Sequence, residues 1–207
     1  MELYQLFIIL FISILIVYLY FENALVIYTM KRVIYGEDEA GSPTPFQSRK
    51  DIKSIIESIA KTNMNMTLVD FGCGQGDFIQ YMKENTFLCK LIGVEMDQKH
   101  VDKCMERFKT DSKIEIYHQN MIDFIFPKEP IILYMYEPLW CMNHQEAISI
   151  YTTVINNAPP CYIVYISGIN PILDSIYFNS MNCTILYQTH IQRGIGWNGN
   201  NLYIIKK

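Results

Sequence analysis

The sequence predicts an α/β domain on a seven-stranded, mostly parallel sheet that ends in an antiparallel strand pair, preceded by one transmembrane helix. Three observations lead there. From residue 47 onward, apolar strand-like runs alternate with helical periodicity, the pattern of a parallel sheet covered on both faces. The run Leu68-Val69-Asp70-Phe71-Gly72-Cys73-Gly74-Gln75-Gly76 carries a buried strand into a loop with glycine at every second position. Before both, Leu3 to Phe21 contains no charged residue.

The N-terminal run is long enough to cross a bilayer. At about 1.5 Å per residue it extends roughly 29 Å, close to the hydrocarbon thickness. Tyr18 and Tyr20 sit near one end, and Lys31 and Arg32 follow, whereas only Glu2 and the amino group precede it. The positive-inside bias places the following domain in the cytosol. A cleaved signal peptide fits less well, because no Lys or Arg precedes the span and Glu22-Asn23-Ala24 is a poor cleavage site. A buried core helix would have to be apolar all round, which is unusual in a domain of this size. Residues 1–30 thus read as a single-pass anchor. Residues 31–46 read as a linker or lid, with the stretch Gly36 to Pro45 acidic and then rich in Gly, Ser and Pro. Residues 47–207 form the globular domain.

Within it, Ile52, Ile55, Ile56 and Ile59 recur at steps of three and four, predicting a helix over 47–60 with Ser48 as its cap. Strands follow at 67–71, 90–95, 113–118, 130–136 and 161–167, with helices at 77–84, 100–109, 143–156 and 170–179 between and after them. Residues 184–192 and 201–206 read as the antiparallel pair, joined by a Gly-rich turn.

Composition argues against several function classes. The formal net charge is −4 and the basic residues are scattered, so no electropositive footprint for nucleic acid exists. None of the six cysteines forms a C-x-x-C pair or falls at zinc-ligand spacing with a histidine, so they read as free thiols in a reducing compartment, and no metal is expected.

The glycine loop asks which ligand it cradles. A dinucleotide site wants G-x-G-x-x-G, with phosphate at the helix N-terminus. Here the third glycine arrives one residue early, at Gly76, and Asp77 stands where glycine is wanted. An acid there repels phosphate, and no Gly-Lys-Ser/Thr of a P-loop follows. A cationic cofactor without phosphates removes the conflict.

At this point the chain resembles the class I S-adenosylmethionine-dependent methyltransferases, whose first motif, D-x-G-x-G-x-G, is matched by Asp70-Phe71-Gly72-Cys73-Gly74-Gln75-Gly76. The resemblance implies a Rossmann-like fold and an S-adenosyl-L-methionine site that uses Asp70, Gly72, Cys73, Gly74 and Gly76. Asp70 would face the ammonium of the amino-acid tail. Leu91-Ile92-Gly93-Val94-Glu95 ends the next strand with an acid 25 residues after Asp70, the family's acceptor for both ribose hydroxyls, with Asp97 a weaker competitor. After the third strand, Asn120 aligns with the family's adenine-contacting acid, Asp123 competes for that role, and Met121 and Phe124 read equally as flanks of the base or as core residues.

Beyond the fourth strand, Tyr136-Glu137-Pro138-Leu139-Trp140 resembles the Asn/Asp-Pro-Pro-aromatic turn of nitrogen methyltransferases, with Glu137 and Leu139 departing from it. Glu137, Pro138 and Trp140 are the implied catalytic group. A carboxylate can hold a lysine ammonium and accept its proton, and an indole can contact the methylated cation. An apolar N-terminal span, Pro43-Thr44-Pro45 before the first helix, and Asn170-Pro171 after a strand extend the likeness to small membrane-anchored methyltransferases, which include the ATP synthase c-subunit lysine methyltransferases. That likeness adds Thr44 as a lid contact to the cofactor and a protein lysine as acceptor. The competing readings are a small-molecule or lipid methyltransferase and a non-catalytic cofactor-binding module of the same fold.

Overall fold

The computed structural model describes residues 46–62, 65–84, 87–136, 139, 144–167, 178, 181, 183–191 and 200–207. The anchor expected over 1–30, the linker, and the helix expected over 170–179 apart from Phe178 lie outside them. Among the described residues no helix is long and apolar enough to cross a membrane.

Seven strands form one sheet in the order β3-β2-β1-β4-β5-β7-β6, as the alternation predicted in number and class. They are β1 (Met66–Phe71), β2 (Leu88–Glu95), β3 (Ile114–His118), β4 (Ile131–Tyr136), β5 (Tyr162–Ser167), β6 (Thr184–Ile191) and β7 (Asn200–Lys206). The first five run parallel, while β7 is antiparallel to both β5 and β6. Helices α1 (Phe46–Thr62), α2 (Asp77–Met82), α3 (Gln98–Phe108) and α4 (His144–Asn157) cover the faces.

Burial follows sequence period. On α1, Ile52, Ile56 and Ala60 are fully buried at four-residue steps, so one stripe faces the sheet. Every residue of β1 is buried, as a central strand covered on both faces requires. Alternate residues of β1 serve opposite cores. Leu68 packs with Ile52, Ile56, Ile79, Cys104 and Phe108 from α1, α2 and α3, whereas Val69 and Phe71 pack with Val154 and Ile155 of α4 and with Tyr165 and Tyr203. Ser48 lies inside α1 rather than at its cap, because the helix begins at Phe46.

The topology locates the site. From β1 the chain winds outward to β2 and β3, then crosses back to β4 on the other side of β1. The carboxyl ends of β1 and β4 therefore flank a switch point, where an open α/β sheet leaves a crevice for ligand. Pairing brings Asp70 level with Gly93 on β2 and Tyr134 on β4, and Glu95 level with His118 on β3.

Candidate functional site

Gly72, Gly74 and Gly76 all take left-handed backbone, with φ of 73°, 54° and 77°. The last two glycines serve different ends. A Cβ placed on Gly74 would meet nothing within 4 Å, so the absent side chain leaves open space beside the loop. A Cβ on Gly76 would lie 2.6 Å from the Phe108 ring and 3.0 Å from the Cys104 sulfur, so that glycine lets α3 pack against the loop. Gly74 is the position that leaves room for a ligand against backbone.

The loop is fixed by neighbouring strands. Gly72 N–H donates to the Val94 carbonyl at 2.9 Å, and Gly76 N–H to the Cys73 carbonyl at 2.9 Å. Gly74 is held on both sides of its residue: its N–H donates to Glu95 Oε2 at 2.9 Å, and its carbonyl accepts the Cys104 thiol at 3.1 Å. The Cys73 side chain packs against Gly93 and Cys104, leaving its backbone as the part turned to the loop. The hydrogen-bonded Cys104 thiol, then burial, push the Cys73 thiol well above the ordinary thiol range.

Glu95 closes β2 with a carboxylate that organises the following turn. Its Oε1 accepts from Met96 N–H at 2.8 Å and Asp97 N–H at 2.9 Å, while Oε2 accepts from Gly74. A carboxylate offers about four acceptor positions, so Oε2 retains a lone pair for a hydroxyl donor. Asp97 does something else. It caps α3, accepting on Oδ1 from Lys99 N–H at 2.8 Å and from His100 N–H at 3.3 Å.

Asp70 is the anomaly of the site. Its residue is 3% exposed, and its Oδ2 has no hydrogen-bond partner among the described residues. Burial, with the nearby Glu95 charge second, pushes its carboxyl up to about 8. A buried carboxylate oxygen without a donor is costly unless a cation or donor arrives from a ligand. The amino-acid ammonium of S-adenosylmethionine fits that need, and the room beside Gly74 fits its methionine portion.

Asp77 does not stand bare before the loop. Its carboxylate pairs with Arg107 at 2.7 Å, so the argument against phosphate passes to Asp70 and Glu95, the acids that line the loop itself. At the far side, Asn120 Oδ1 accepts Ile122 N–H at 3.0 Å, capping the short 3-10 turn Met121–Asp123. Asp123 is exposed on that turn and its carbonyl accepts from the Gln119 amide at 2.8 Å. Met121 is half-buried against the α4-side core. Of the two readings of Phe124, base flank or core, the packing favours core. The residue is buried in an aromatic cluster, edge-on to Phe71 at 5.5 Å and to Tyr117 at 5.6 Å.

Sequence reading missed Met96 and His118. Met96 follows Glu95 directly yet is 63% exposed, and its carbonyl lies 3.0 Å from His118 Nε2. The signal was adjacency to the acid, which no periodicity marks. Glu137, Pro138, Trp140 and Thr44 lie outside the described residues. Between them Leu139 is described and buried, and Tyr136, half-buried, ends β4 at the switch point.

Residues 48–124 match the family described as methyltransferase domain. No curated protein sequence is significantly similar to the chain. Among solved structures, the magnesium protoporphyrin IX methyltransferase of Synechocystis PCC 6803 with bound S-adenosylmethionine superposes with a TM-score of 0.64 at 12% identity, over 87% of this chain and 90% of that one. The N-methyltransferase NodS of Bradyrhizobium japonicum WM9, in complex with S-adenosyl-L-homocysteine, gives 0.62 at 14% identity, over 87% and 97%. The [4+2]-cyclase SpnF gives 0.60 at 10% identity, over 82% and 85%. Identities this low establish a common fold. Its use by a cyclase shows that the fold alone does not choose the reaction.

Proposed function

We propose that this chain, which carries a methyltransferase domain on the class I S-adenosylmethionine-dependent fold, methylates the side-chain nitrogen of a protein lysine while held at a membrane by residues 1–30. The observation that carries the cofactor assignment is the pair of buried-site acids around one glycine. Glu95 holds the Gly74 N–H, and Asp70, near the carboxyl end of β1, presents an oxygen with no partner among the described residues.

S-adenosylmethionine supplies a methyl group already activated on a sulfonium. The protein's own residues then bind and orient. Glu95 would hold a ribose hydroxyl, Asp70 would hold the ammonium, and the bare Gly74 backbone would leave room for the methionine portion against the loop. Positioning of this kind can account for several kcal/mol of barrier reduction. The acceptor amine must be neutral to attack, so a site that desolvates the ammonium or takes its proton assists the reaction. Glu137 is assigned that work and Trp140 the contact to the cationic product. Their support is the sequence of the turn after β4. The anchor rests on the uncharged run Leu3 to Phe21 and on Lys31 and Arg32 behind it, which put the domain on the cytosolic side.

A small molecule or lipid is the second reading, favoured by the neighbour whose named substrate is magnesium protoporphyrin IX. Tritiated methyl donor added to membranes containing the protein separates the two. Label in the protein fraction, recovered as methyl-lysine, is expected. Label confined to the lipid or small-molecule fraction would contradict the lysine assignment.

A further inference from the structure

Met96 is presented rather than packed. Its N–H donates to Glu95 Oε1 at 2.8 Å, its carbonyl lies 3.0 Å from His118 Nε2, and its side chain is 63% exposed. Both polar atoms of its backbone are therefore anchored while a large apolar side chain stands in solvent beside the ribose acid. A carbonyl can only accept, so Nε2 of His118 carries the proton, in the neutral Nε2–H tautomer or in the imidazolium alike.

His118 is placed for this by register. It ends β3 level with Glu95 at the end of β2, so its side chain reaches across to the turn that Glu95 begins. The main chain adds one bond between these loops, from Gln119 N–H to the Glu95 carbonyl at 3.0 Å. That bond fixes Glu95 itself. The bond from His118 fixes the next residue, the one whose side chain is exposed.

We infer that His118 is a positioning residue for the adenosine end of the cofactor site, holding through the Met96 carbonyl the 95–97 turn against the 118–123 loop. The inference rests on the cofactor reading above. Without the imidazole, the Met96 carbonyl turns to water, and the turn that carries the Met96 side chain must be ordered when ligand arrives. That ordering is taken from affinity. Glutamine at 118 offers an amide N–H at comparable reach and restores the donor.

Calorimetry on the full chain tests this with S-adenosylmethionine and with 5′-methylthioadenosine, which has the adenosine end but lacks the amino-acid tail. His118→Ala is expected to weaken both ligands by the same factor, about three- to tenfold, the loss of one partly solvated hydrogen bond. His118→Gln is expected to recover the affinity of both. Equal affinity in wild-type and His118→Ala protein would overturn the inference and leave the cofactor reading standing. So would an alanine defect that glutamine does not repair. Failure of the wild-type protein to bind S-adenosylmethionine would overturn the cofactor reading itself, and this inference with it.

Discussion

Glu95 reaches back across the strand pair to hold Gly74: its Oε2 accepts the Gly74 N–H at 2.9 Å while its Oε1 accepts the N–H groups of Met96 and Asp97. One carboxylate thus ties the glycine loop after β1 to the turn after β2, and the proposed ribose site is built on that tie. Glu95→Ala removes the acceptor from three backbone donors that water can reach in part. The expected cost is about 1–2 kcal/mol of stability, read as a lower melting temperature. Affinity for S-adenosylmethionine is expected to fall at least about tenfold, because the ribose acceptor is lost along with the tie.

The two loop glycines separate binding from folding. Gly74→Ala carries only the left-handed backbone penalty of about 1 kcal/mol, since its Cβ meets nothing. Gly76→Ala adds the clash with Phe108 and Cys104, worth about a further 1–3 kcal/mol. Thermal melts should therefore rank Gly76→Ala well below Gly74→Ala. Titration should show the Gly74 substitution weakening cofactor binding out of proportion to its small effect on melting.

Asp70 makes binding depend on protons. Its carboxyl sits at about 8 in the folded, ligand-free chain against 3.8 when free. Between those values the folded chain keeps a proton that the unfolded chain has lost, so ligand-free stability falls as pH rises through that window. Pairing with the cofactor ammonium requires the carboxylate. Binding near pH 7 should then release roughly one proton, seen as a dependence of the calorimetric enthalpy on buffer ionisation. Asp70→Asn should remove that release along with most of the affinity.

Much of the fold was legible because strand-end signals coincide with chemistry. The apolar runs before Asp70, Glu95 and Tyr136 are long and bounded, and each strand ends within two residues of its expected place. Legibility failed where long-range contact decides a side chain's task. Asp77 reads as a phosphate-repelling acid, yet it pairs with Arg107 thirty residues on. Phe124 reads equally as a base flank or as core, and only its ring contacts with Phe71 and Tyr117 show the core packing. Met96 offered only its adjacency to Glu95 and His118 no signal at all, because their partnership exists only through the β2–β3 register.

Glu137 tests the division between holding the donor and using it. Glu137→Ala should leave S-adenosylmethionine affinity within about twofold and lower methyl transfer in the tritiated-donor assay by about a hundredfold, the order expected for a proton acceptor. Equal losses in binding and turnover would remove Glu137 from the catalytic role.

Titration of the full chain in detergent with S-adenosylmethionine and, separately, with NAD⁺ addresses the central claim most directly. The account predicts saturable one-to-one binding of S-adenosylmethionine, none of NAD⁺, and loss of binding in Gly74→Arg, whose side chain would enter the open space beside the loop while the protein still melts cooperatively. Comparable affinity for NAD⁺, or S-adenosylmethionine affinity unchanged by Gly74→Arg, would contradict it.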